Sequence, residues 1–155
     1  MVAKEMTRRE FHKKYAPELR MLNTGTGREK AAALGQLAKT GEREAVHHIG
    51  KLLRTGKGGQ FHDADLMFVA HEALMKLRHI DNKGVAKSIK KLATHDDRYV
   101  RMQVARNSWR LGENGKRILK KLERDKDVRV RVDAKESLKL LKSFYSMKKE
   151  IEPKR

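Results

Sequence analysis

The sequence of 155 residues contains no cysteine. That removes disulfides, thiol nucleophiles and thiolate metal ligands together, and it fits a reducing compartment. Proline is nearly missing: Pro17 and Pro153 stand near the two ends, so no pyrrolidine ring interrupts a helix between them. Aromatic residues are scarce at 5%, with Trp109 the single tryptophan. No aromatic-basic signature of sequence-specific RNA recognition is present, so any nucleic-acid readout is expected to use backbone and shape. No stretch approaches about 18 uncharged apolar residues, which is what a membrane span needs. The opening MVAKEMTRREFHKK has no apolar core of a signal peptide. A cytoplasmic protein without membrane contact is expected.

What the chain does have is positive charge. Lys and Arg number 38 against 20 Asp and Glu, giving a formal charge of +18 and a pI near 10.3. Self-repulsion of that size disfavours compaction, so a polyanionic partner is implied, nucleic acid before an anionic membrane surface. Disorder throughout is excluded, because apolar residues recur at helical spacing along most of the chain.

Helix starts are marked locally. Thr7 with Glu10 and Thr26 with Glu29 fit the capping box, placing helices from about residues 8 and 27. Turn-forming segments stand at 23 to 27, 40 to 41, 55 to 59, 81 to 82 and 96 to 97, a cadence of short antiparallel helices. Self-similarity is visible in HHIGKLL (47 to 53), KSIKKLA (87 to 93) and RILKKLE (117 to 123), with Leu52, Leu92 and Leu122 in register. The helices preceding them align on Leu34 and Leu37, on Ala70, Leu74 and Leu77, and on Ala105 and Trp109; Ala134, Leu138 and Leu141 begin a last one. Val100, Val104 and Leu111 fall on one side of their helix and Met102, Ala105 and Trp109 on another, as in a helix sandwiched between neighbours. Trp109 is expected in the core.

DDRYVRMQVARNSWRLG (96 to 112) followed by ILKKLERDKDVRVRVDAKESLKLL (118 to 141) resembles the HEAT-like repeat family, in which Asp-x-x-Val-Arg opens a helix with Ala and Leu in its core. Asp97 to Arg101 carries the pattern, and Asp127 to Arg131 repeats it with one residue fewer between its valine and its alanine. The resemblance is clearest over 95 to 142 and implies an all-α, right-handed α-solenoid of about three helical hairpins plus terminal helices. The expected organisation is a basic N-terminal helical extension (1 to 26), a repeat domain (27 to 142) and a basic C-terminal helix end and tail (143 to 155), the tail carrying Lys148, Lys149, Lys154 and Arg155.

The second helix of each expected pair separates apolar from cationic positions. Val46, Ile49 and Leu52 point inward and His47, Lys51 and Arg54 outward; Val85, Ala86, Ile89 and Leu92 inward and Lys87, Lys90 and Lys91 outward; Gly115, Ile118, Leu119 and Leu122 inward and Arg117, Lys120, Lys121 and Arg124 outward. A face that only needs solvating usually interleaves Glu with Lys, and these outward positions do not. In the family the sequence resembles, second helices line the concave surface, so the resemblance implies a basic groove. Nucleic acid, RNA slightly before DNA and including a ribonucleoprotein, is the expected partner; a protein adaptor gripping an acidic segment is the alternative.

No enzyme chemistry is expected. GKLLRTGKG (50 to 58) misses the phosphate-binding P-loop, with five residues before Gly56-Lys57, Gly58 where a Ser or Thr would bind magnesium, and a helix ahead of it. His71-Glu72 starts a zinc-protease pattern that Met75 ends. His47 and His48 are neighbours about 100° apart on a helix and make a poor chelate, so no metal, cofactor or small-molecule substrate is expected. The resemblance raises one exception, since certain HEAT-like proteins are DNA alkylpurine glycosylases; Asp96 or Asp97 near Tyr99 and Trp109 could take those parts, although the helix-start role suits these aspartates better.

Overall fold

The structure is a computed structural model that describes residues 4–54 and 61–151. Every regular element among these residues is helical: α1 (Arg8–Lys14), α2 (Ala16–Thr24), α3 (Gly27–Lys39), α4 (Arg43–Arg54), α5 (Ala64–Lys76), α6 (Asn82–Leu92), α7 (Arg98–Asn107), α8 (Glu113–Leu122) and α9 (Val128–Ile151), with a 3-10 turn at Ser108–Leu111. The all-α expectation therefore holds. No helix among the described residues is long and apolar enough to cross a membrane.

Helix boundaries follow local chemistry. Both capping boxes form: the Thr7 hydroxyl accepts from the Glu10 N–H while the Glu10 carboxylate accepts from the Thr7 N–H, and Thr26 and Glu29 do the same. Asp63 and Asp97 cap α5 and α7 by accepting from backbone N–H groups of the first turn. Pro17 sits in the first turn of α2, where its missing N–H is no loss. Gly41 and Gly112, with φ of 65° and 63°, supply the left-handed backbone that begins α4's approach and ends the 3-10 turn.

Two compact units divide the chain, Met1–Leu92 and Ala93–Arg155. In the first, α3 packs on α5 and on α2, while α4 packs on α6. First helices thus neighbour first helices and second neighbour second, around a core of Leu34, Leu37, Ile49, Leu74, Leu77, Ile89 and Leu92, all fully buried. Gly50 lies so close to Ser88 that a Cβ there would come within 2.7 Å of the serine hydroxyl. Aligning Leu52 with Leu92 would pair Gly50 with Lys90, two positions away, so the packed register is near that of the sequence repeat.

In the second unit α9 packs along both α7 and α8, and the Ser137 hydroxyl donates to the Ala105 carbonyl. Val100, Val104, Leu111, Met102 and Ala105 are buried as expected. Trp109 is only partly buried, which corrects its assignment to the core. The cause is local: α7 ends at Asn107 and the chain tightens into a 3-10 turn, so the 100° phasing that put Trp109 with Ala105 no longer applies. α9 runs without a break past residue 142 to Ile151. The glycine-rich stretch 55 to 60, with Lys154 and Arg155, lies outside the described residues.

Candidate nucleic-acid interface

The expected inward and outward sets separate cleanly. Val46, Ile49, Leu52, Val85, Ala86, Ile89, Leu92, Gly115, Ile118, Leu119 and Leu122 are all buried. His47, Lys51, Arg54, Lys87, Lys90, Lys91, Arg117, Lys120, Lys121 and Arg124 are all exposed. Amphipathicity, rather than any polar pairing, orients these helices, since the only way to bury the valine, isoleucine and leucine stripe is to turn the lysines outward.

The sign of the exposed positions is one-sided. α4 exposes Arg43, His47, Lys51 and Arg54; α6 exposes Lys83, Lys87, Lys90 and Lys91; α8 exposes Glu113, Lys116, Arg117, Lys120 and Lys121. Glu113 is the one carboxylate among the exposed residues of these three helices. By contrast α3 exposes Glu29 beside Arg28 and Lys39, and α5 exposes Asp65 and Glu72 beside Lys76. Exposed cations also occur elsewhere, with Arg98 and Arg106 on α7 and a mixture of signs on α1 and α9, but α4, α6 and α8 carry them with almost no carboxylate between.

Within the first unit, the packing of α4 on α6 at Gly50 and Ser88 sets the two cationic edges side by side. Lys91 is held over the Phe61 ring, its Nζ 5.1 Å from the centroid. Within the second unit a cleft of about 470 Å³ runs between α8 and α9, with Lys116, Lys120, Lys142 and Lys149 around a floor of Leu138, Leu141 and Tyr145. Lys120 also lies 3.8 Å from the half-buried Glu123, and its own exposure to water keeps that contact weak. Lys116 and Lys142 are additions to the expected set. Their signal was helical spacing, four residues from Lys116 to Lys120 and seven from Lys142 to Lys149, which keeps each pair on one face.

The aspartates weighed for a glycosylase have backbone work. Asp97 Oδ1 accepts from the Tyr99 and Val100 N–H groups at 2.7 and 3.4 Å, and the carbonyl of Asp96 accepts from Arg101. His47 and His48 do not converge, their rings meeting edge-on with centroids 5.5 Å apart. The histidine pairing that the fold does make is His12 with His48, joined by Glu44. No family model, curated protein or solved structure matches this chain.

Proposed function

We propose that the chain is a non-enzymatic nucleic-acid-binding protein that grips the phosphate backbone through the cationic faces of α4, α6 and α8. The finer architecture we propose is a right-handed solenoid of HEAT-like hairpins, a reading supported inside the first unit by the layering of α3 on α5 and α4 on α6. One observation carries the function: the exposed positions of the second helices are basic almost without exception, while α3 and α5 mix both signs. Each phosphate neutralised releases condensed counterions, which makes binding strong and salt-sensitive without any base contact. RNA, including RNA within a ribonucleoprotein, is preferred over DNA because basic segments flank a small basic body at both ends.

The test is filter binding of a structured RNA and a duplex DNA of matched length across a salt series. With about six to ten phosphate contacts, the log–log slope should be about −5 to −9 on duplex and shallower on single strands. Tighter binding of duplex DNA at matched salt overturns the RNA preference. Binding to neither, in a preparation whose ultraviolet absorbance is that of clean protein and which captures an acidic protein, overturns the nucleic-acid reading in favour of an adaptor. That second reading has its own support: Leu140, Phe144, Met147 and Ile151 follow one another along α9 at helical spacing and are all exposed.

A further inference from the structure

Three side chains from two distant parts of the sequence meet in the first unit. Glu44 and His48 stand one turn apart on α4, and α1 delivers His12 against them. His12 Nε2 and His48 Nε2 are 2.8 Å apart, and Glu44 Oε1 lies 3.6 Å from the first and 3.5 Å from the second. Phe11, fully buried, fixes the arrangement by stacking on the His48 ring at 5.9 Å between centroids and 8° between planes.

We propose that His12, Glu44 and His48 form a divalent metal site of the zinc class, which clips α1 to α4. The distances match the chemistry. Ligands about 2.0 to 2.1 Å from a tetrahedral zinc stand about 3.3 Å from one another, and the three separations here bracket that value. A point equidistant from the three atoms lies about 1.9 Å from each, so an ion seated slightly out of their plane makes three ordinary bonds and keeps a fourth position for water. Two imidazoles and one carboxylate suit zinc and its transition-metal neighbours; magnesium and calcium need more oxygen donors than one glutamate provides.

One further feature points the same way. Glu44 Oε1 is buried and receives no hydrogen bond, a condition that usually marks the place of an ion or water. Two internal contacts compete: the hydrogen bond between His12 Nε2 and His48 Nε2, whose proton a metal would displace, and Arg8 Nε, 3.3 Å from Glu44 Oε1 on a side chain that is 70% exposed and can swing away.

The test uses the full chain, stripped with a chelator and titrated calorimetrically with zinc chloride. One saturable ion per chain is expected, with a rise in thermal midpoint that chelator reverses. His12→Ala, His48→Ala and Glu44→Gln should each weaken binding at least about tenfold, the loss seen even for changes outside the ligand shell. His47→Ala should leave affinity unchanged, and Arg8→Ala should raise it by removing the competing cation. Imidazole nitrogen NMR of the unmutated chain should show two Nε2 resonances moving together on zinc addition, a readout that needs no variant to fold. Absence of a one-to-one site, binding that survives loss of His12, or binding lost equally in His47→Ala overturns the proposal, and none of these outcomes bears on nucleic-acid affinity.

Discussion

Arg101 is clamped onto Asp125 by two parallel contacts, Nε to Oδ2 at 3.0 Å and Nη2 to Oδ1 at 3.2 Å, with both side chains almost wholly buried. The same guanidinium donates through Nη1 to the carbonyls of His95 and Asp96. Thirty residues on, Arg131 donates through Nη1 to the carbonyls of Asp125 and Lys126. Asp97 and Asp127 each cap the helix start beside their arginine. The two Asp-x-x-x-Arg segments thus build one hydrogen-bonded corner twice, and Asp125 belongs to both.

Removing half of the buried pair leaves a charge with no water to solvate it. Asp125→Ala should therefore destabilise the chain by about 3 to 5 kcal/mol. Arg101→Lys should fail to rescue, because an ammonium cannot span both carboxylate oxygens and two carbonyls at once. Denaturant titration checks both, and a loss below about 1 kcal/mol for Asp125→Ala would show that the pair is idle.

Features written in neighbouring residues were legible in the sequence. Thr26 and Glu29 are three apart and satisfy each other's backbone, so the start of α3 follows from four letters. Lys87, Lys90 and Lys91 fall outward because Val85, Ile89 and Leu92 must fall inward, a matter of helical period alone. Features requiring knowledge of what lies across the fold were not legible. Trp109 was misplaced because nothing in its own period announces that α7 stops at Asn107. His12 and His48 are 36 positions apart, and only the packing of Phe11 brings them together. Glu44 and His48 were the readable half of that cluster, as a carboxylate and an imidazole one helical turn apart.

Gly115 is tied to close packing and not to backbone conformation. A Cβ there would collide with the Ser108 carbonyl oxygen, which is backbone and cannot swing aside. Gly115→Ala should cost at least the upper end of the ~1–3 kcal/mol typical of overpacking. Gly35, inside α3, has nothing within 4 Å of the same position, and Gly35→Ala should stabilise by about 0.5–1 kcal/mol through helix propensity. Thermal unfolding of the two variants should move in opposite directions.

The capping box of α3 gives a pH dependence with a defined sign. The Thr26 backbone N–H, and after it the Thr26 hydroxyl, hold the Glu29 carboxyl below its ordinary value of 4.5, against a smaller effect of burial. A carboxylate whose pKa falls on folding adds stability that is complete above 4.5 and disappears as pH falls through the lower folded value. The stability difference between the unmutated chain and Glu29→Gln should therefore be steady near neutrality and shrink in acid. A difference that grows on acidification would reverse the assignment.

Charge reversal of the cationic faces separates a binding surface from a merely soluble one. Lys87, Lys91, Arg117 and Lys121 are exposed on α6 and α8, and their backbones lie within regular helix, so changing all four to Glu alters the surface and leaves the buried stripe intact. Helicity by circular dichroism should be unchanged. Nucleic-acid affinity should disappear at physiological salt, because four cations become four anions and the phosphate backbone is repelled where it was held. The control is equal in charge and differs in place: Lys30, Lys39, Lys76 and Arg28 changed to Glu on α3 and α5 give the same net change of eight units. If net charge alone drives binding, the two quadruple variants lose affinity equally; if the second helices form the surface, the control retains most of it. An equal loss would refute the assignment of binding to α6 and α8 even though both variants bind poorly.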